Sequence, residues 1–157
     1  MNLQQHWHRG QIWLATWFGA GQLPWAPGTW GSLAALPMWL VWQFLPGKLY
    51  LVLLLILFLV AVKVSGAGAR HFQRPDPREV VIDEVVGQLL ALSVCPLRLG
   101  PIVIGFLLFR LFDIFKPFPA RYLEVRLAGG LGIVLDDVVA GLYAGLVLQG
   151  LLALGWL

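Results

Sequence analysis

Charge is scarce in this chain: 12% of its 157 residues are Asp, Glu, Lys or Arg, against 59% that are hydrophobic. A soluble domain of this size has too little interior to hide that much apolar surface, so lipid is the expected solvent for much of it. Cysteine is nearly absent. The single Cys95 excludes an internal disulfide, and it cannot open a cysteine-phosphatase loop, because Pro101 stands where that loop needs arginine. It reads as a buried small hydrophobe. The net charge is +3, yet the Lys and Arg form no dense run or stripe, so a nucleic-acid partner is not expected. "MNLQQHWHRG" lacks a basic segment leading into an apolar one, so a cleaved signal peptide is not expected either. No linker or low-complexity tract divides the chain, which reads as one domain over 1–157.

What the chain does have is apolar runs. Five stand out, at 32–45, 49–69 (interrupted by Lys63), 80–95, 101–115 and 134–157. Several fall short of the roughly 20 residues a perpendicular span needs. In a chain this apolar they predict an all-α, polytopic membrane helix bundle of about five short or tilted segments. "LPGKL" and "CPLRLG" are tight turns by their Pro and Gly content. Trp7, Trp13, Trp17, Trp25 and Trp30 mark an interfacial arm and Pro/Gly loop over 1–30, ahead of a helical bundle over 31–157.

Threading these segments alternately through a membrane puts the arm, the 65–79 loop and the 116–133 loop on one side. That side takes nine of the 11 Lys and Arg, with only Lys48 and Arg98 opposite, which makes it cytoplasmic. All eight acidic residues fall on the same side or at its membrane edge. The positive-inside rule does not predict that, so something on the cytoplasmic face requires carboxylates.

Antiparallel threading brings Asp83-Glu84, Asp113 and Asp136-Asp137 from three segments to one depth. The strings "VVIDEVVG" and "IVLDDVVAG" echo each other, and helical spacing sets Asp83, Gly87 and Ala91 on one face and Asp137, Gly141 and Gly145 on another. Small residues beneath an acid let helices approach closely. One acidic pair alone reads as an N-cap favoured by the helix dipole. Two pairs, with Asp113 at a helix C-terminus where the dipole opposes it, point instead to oxygen ligands for Mg²⁺ or Mn²⁺. Five acids permit two metals, or one metal and a free general base.

Arg110 and Lys116 flank Asp113 at i−3 and i+3. They read either as snorkelling cations paired with one acid or as a phosphate clamp, with Arg110 binding in bidentate fashion and Lys116 as a point charge. Metal-holding carboxylates beside Arg and Lys are what phosphoryl transfer requires, since that chemistry is mostly positioning and charge neutralisation. In "LPWAPGTWGSLAALP" a Pro27-Gly28 turn would lead Thr29, Gly31 and Ser32 into the first span, an anion site at a helix start or a plain N-cap. "HWH" at 6–8 reads as solvated, while His71 sits in a basic loop within reach of a phosphate. Gly141-x-x-x-Gly145 suits intrachain packing better than contact with a second protomer; the oligomeric state stays open.

Together "APGTWGSLAALP", "DPREVVIDEVVG", "FRLFDIFKPFP" and "GGLGIVLDDVVAG" resemble the phosphatidylglycerophosphatase A family of bacterial inner-membrane lipid phosphatases, over 18–145. The resemblance implies Mg²⁺-dependent hydrolysis of the terminal phosphomonoester of phosphatidylglycerophosphate, with a phospholipid substrate in the cytoplasmic leaflet. Its polar motif positions fall on Thr29, Ser32, Asp76, Asp83, Glu84, Arg110, Asp113, Lys116, Asp136 and Asp137. We expect Asp83, Glu84, Asp113, Asp136 and Asp137 to be catalytic and metal-holding, and Thr29, Ser32, Arg110 and Lys116 to bind phosphate, with Asp76 and His71 as further candidates. The alternatives are another lipid phosphatase or phosphotransferase, and a small ion transporter with an acidic site. The D-G…A-R…G…D…D run of CDP-alcohol phosphotransferases and the P-S-G-H block of histidine phosphatases are both absent. A transporter needs polar groups across the membrane, and beneath the acids there is little beyond Gln88, Ser93 and Gln149.

Overall fold

The computed structural model describes residues 3–157, and among these every regular element is helical. The helices are α1 (Leu3–Ala15), α2 (Pro27–Trp42), α3 (Gly47–Phe72), α4 (Ile82–Ala91), α5 (Leu99–Phe115), α6 (Ala120–Arg126) and α7 (Gly130–Ala153), with a 3-10 turn at Ala20–Gln22. Their ends are written locally. α2 opens on Pro27, whose missing N–H costs nothing in a first turn. α3 and α5 stop at Gln73 and Lys116, both left-handed, and Pro75 and Pro117 prevent continuation.

Two local expectations change. The turn expected at Pro27-Gly28 lies one step earlier, where Trp25 and Ala26 take φ of 67° and 48°. Gly28, Thr29, Gly31 and Ser32 therefore sit inside α2, because proline starts the helix instead of ending the loop. The 116–133 segment, expected as a loop, contains α6. The arm is likewise more than a surface anchor: α1 packs on α3, and its Ala15 carbonyl accepts the Val81 N–H at 2.9 Å.

α4 lies at the centre, enclosed by α2, α3, α5 and α7. Eight of its ten residues are buried, Asp83 and Gln88 among them. At and beyond its C-terminal end, other helices supply donors for backbone carbonyls. The Tyr50 hydroxyl donates to Leu89 at 2.6 Å, the Trp39 indole N–H to Leu92 at 2.7 Å, and the Gln149 amide to Val94 at 3.0 Å.

α4 and α7 run parallel in a constant register of 54 residues, Gly87 against Gly141 and Ala91 against Gly145. The contact is backbone to backbone. A Cβ on Gly87 would come within 2.6 Å of the Asp137 carbonyl, and one on Gly141 would overlap the Gly87 carbonyl. Phe109 of α5, fully buried, fills the space left by Ala91, Ala140 and Ala144.

Outside this core the surface is apolar. Leu51, Leu55 and Leu59 of α3, Val103, Leu107 and Leu111 of α5, and Leu142 and Leu146 of α7 are all exposed. α3 and α7, at 26 and 24 residues, are long and apolar enough to cross a membrane. Of the other three stretches expected to span, α2, α4 and α5 contribute helices of 16, 10 and 17 residues.

Candidate active site

At the N-terminal ends of α2 and α4, the C-terminal end of α5 and the second turn of α7 lies a cavity of about 310 Å³. Six acids line it, Asp76, Asp83, Glu84, Asp113, Asp136 and Asp137, against three cations, Arg78, Arg110 and Lys116. Its wall therefore carries more negative than positive charge.

The α4–α7 register sets Asp83 against Asp137. One carboxylate oxygen each from Asp83, Glu84 and Asp137 lie within 4.8 Å of one another. Asp83 and Asp137 are buried and Glu84 nearly so. Asp83 Oδ1, Glu84 Oε2 and Asp137 Oδ1 are sealed from solvent and accept no hydrogen bond from the protein. Buried carboxylate oxygens without donors are costly unless a cation meets them. Three converging carboxylates, each with one buried oxygen that no protein donor meets, fit a hard divalent cation of the Mg²⁺ type.

The two cations beside them are already oriented. Arg110 Nη1 lies 2.5 Å from Asp113 Oδ2 and 3.9 Å from Glu84 Oε1, and donates to Ser32 Oγ at 3.4 Å. The Ser32 hydroxyl in turn donates to the Gly28 carbonyl at 2.8 Å. Lys116 Nζ lies 2.6 Å from Asp136 Oδ2. The left-handed backbone at Lys116 ends α5 there, and the next turn is tied to α7 by the Tyr143 hydroxyl donating to Phe118 at 2.8 Å. A side chain at Gly28 would run into the Glu84 carboxylate and displace it from its place beside Arg110.

The chain matches the phosphatidylglycerophosphatase A family model over residues 13–152. It belongs to that family. The family is one of phosphatases, and curated relatives agree in extent. A phosphatidylglycerophosphatase A of Escherichia coli K12 is 34% identical over 149 residues, covering 94% of this chain and 84% of the relative. One of Haemophilus influenzae is 40% identical over 136 residues, covering 85% and 83%. A third relative, from Bacteroides thetaiotaomicron, carries the name of a candidate phosphatidylinositol-3-phosphatase and is 36% identical over 138 residues, covering 83% and 86%. No solved structure matches the chain.

The five acids expected to share metal divide into two kinds. Asp83, Glu84 and Asp137 converge, whereas Asp113 and Asp136 each hold a cation. Asp76 lines the cavity wall. Ser32 stands behind Arg110, while Thr29 is half-buried on α2 and does not line the cavity. His71 is exposed and does not line it either; its Nδ1 lies 3.2 Å from Nε2 of His8. Arg78 is the charged lining residue that the sequence pattern does not single out: it counts toward the positive-inside excess, although it stands in "DPREVV" beside the acids.

Proposed function

We propose that this chain hydrolyses the terminal phosphomonoester of phosphatidylglycerophosphate to phosphatidylglycerol and phosphate, using Mg²⁺. The observation that carries the reading is the convergence of Asp83, Glu84 and Asp137 beside Arg110 and Lys116, in a chain of this family. Asp83, Glu84 and Asp137 would hold the ion. When bound, it neutralises charge on the phosphoryl oxygens and makes water more acidic.

The chain's own side chains do the positioning. Arg110, steadied by Asp113 and by the Ser32 hydroxyl, offers its fork of N–H groups to two phosphate oxygens. Lys116, held by Asp136, adds a compact charge to the lining of the same cavity. Ser32 thus acts through Arg110, and Thr29 supports the same end of α2. Asp76 adds a further carboxylate at the mouth. The net reaction places the water oxygen on phosphorus and a proton on the departing glycerol oxygen.

The exposed apolar belts of α3, α5 and α7 support a single multi-pass domain in the bacterial inner membrane. The excess of Lys and Arg on the side bearing the acids supports a cavity facing the cytoplasmic leaflet, at the depth of a lipid phosphate. A second reading, another lipid bearing a phosphomonoester as substrate, is favoured by the name of the Bacteroides relative.

Phosphate release from the purified protein in detergent separates these readings. The substrates are phosphatidylglycerophosphate, phosphatidic acid and phosphatidylinositol 3-phosphate, each with Mg²⁺ or with EDTA. The expected result is Mg²⁺-dependent turnover with phosphatidylglycerophosphate fastest. Faster turnover of phosphatidylinositol 3-phosphate would install the second reading, and full activity in EDTA would remove the metal.

A further inference from the structure

The acid cavity adjoins a second one. About 270 Å³ in volume, it is built from residues 21–27 together with Arg78 and Glu79, and it shares Ala26, Pro27 and Arg78 with the first. Arg78 is the charged side chain common to both walls.

The three cavity arginine and lysine side chains are not equivalent. Arg110 and Lys116 are 15% and 24% exposed and each is drawn close to a cavity acid. The Arg78 side chain is 79% exposed, and its ion pair with Glu79 spans 3.8 Å. Glu79 is already committed elsewhere: Arg74 Nη2 donates to both of its oxygens, at 2.8 and 3.0 Å. Burial alone would raise the Glu79 carboxyl, but these bonds outweigh it and hold the group below its ordinary value, so it stays a partner of Arg74. Arg78 therefore keeps most of its five N–H donors for something that arrives from outside. The loop forming the second cavity exposes Leu23 and Trp25, the latter at 89%, which is where a lipid's glycerol and chains would begin.

We infer that Arg78 forms a subsite for the phosphodiester of the lipid substrate, and so reads the headgroup. This rests on the proposed reaction. With the terminal phosphate between Arg110 and Lys116, the three-carbon bridge leads outward to a second phosphate carrying one negative charge. That group needs a cation at the wall between the cavities, and an arginine there gives a charged, two-pronged contact. Phosphatidic acid, whose only phosphate is the terminal one, has nothing for Arg78 to hold.

The test uses the full chain in phosphatidylcholine vesicles, with Arg78→Gln and Arg78→Lys. Arg78→Gln is expected to raise KM for phosphatidylglycerophosphate about tenfold or more, the size of a lost charged hydrogen bond, with kcat nearly unchanged. KM for phosphatidic acid stays put, and Arg78→Lys recovers part of the loss. Independently, inhibition of the wild-type chain by the soluble diester glycerophosphoglycerol weakens in Arg78→Gln, while inhibition by inorganic phosphate does not. Equal losses on both lipids and both inhibitors, or no loss on any, would overturn the inference. A wild-type chain that leaves phosphatidylglycerophosphate intact would instead remove the reaction on which it rests.

Discussion

The two ends of α4 treat buried polarity in opposite ways. At the C-terminal end, Trp39 and Tyr50 come from α2 and α3 to take the buried carbonyls of Leu92 and Leu89, and Gln149 of α7 takes the exposed one of Val94. At the N-terminal end, Asp83 Oδ1, Glu84 Oε2 and Asp137 Oδ1 are just as hidden and receive no donor. Gln88, one turn beneath Glu84, belongs with this second kind, since its amide is fully buried and makes no hydrogen bond among the described residues. The same bundle can plainly recruit donors when only folding is at stake. Ser65 on α3 is also left without a partner, but among the described residues only around the acids do three carboxylates converge, which supports the proposed cation site.

The largest effects are expected at the acids. Asp83→Asn and Asp137→Asn should each lower phosphate release by about 10²–10³-fold or more, as loss of a group that meets developing charge does. Neither should lower the unfolding temperature in metal-free buffer, because each removes an unpaired buried charge. Unfolding of both variants would put the acids in the same class as the far end. Gly141→Ala comes next. Its new methyl would meet the Gly87 carbonyl, so α7 must move away from α4 at a cost of about 1–3 kcal/mol, and kcat should fall as Asp83 and Asp137 separate.

At the other end the pattern reverses. Trp39→Phe and Tyr50→Phe each strand a buried carbonyl, and should cost about 1–3 kcal/mol in thermal or denaturant unfolding while leaving kcat intact. Arg74→Gln should be the mildest change, below about 1 kcal/mol, because its pair with Glu79 is half-exposed. Its sign with pH is fixed. The folded Glu79 carboxyl is held below its ordinary value, so the pair stabilises fully above that ordinary value and its contribution is lost as pH falls through the lower folded one. Arg74→Gln should therefore matter at neutral pH and vanish in acid.

Much of this was legible in the sequence because it depends on spacing. Glycine four residues after Asp83 and after Asp137 predicts two helices meeting beneath their acids, and the structure brings Gly87 and Gly141 into contact. The helical class follows in the same way from the apolar runs. What spacing does not carry is register to one residue. The echoing strings align Asp83 with Asp136, whereas the glycine crossing sets Asp83 opposite Asp137 and leaves Asp136 to Lys116. Nor does it carry which carboxylate takes which cation, since the approach of Lys116 to α7 depends on a left-handed backbone at a helix end. The donors that close the far end of α4 were hidden for the same reason: Trp39 and Tyr50 look like any apolar aromatic until their partners, 53 and 39 residues away, are in place.

The central claim is that Asp83, Glu84 and Asp137 take a divalent cation that the protein itself leaves room for. The most direct test is the unfolding temperature of the detergent-solubilised chain titrated with Mg²⁺, in the wild type and in Asp137→Asn, since a ligand that binds only the folded state raises its stability in a saturable way. The wild type should show a saturating rise that is lost in Asp137→Asn. A wild type indifferent to Mg²⁺, or an equal rise in both, would contradict that claim.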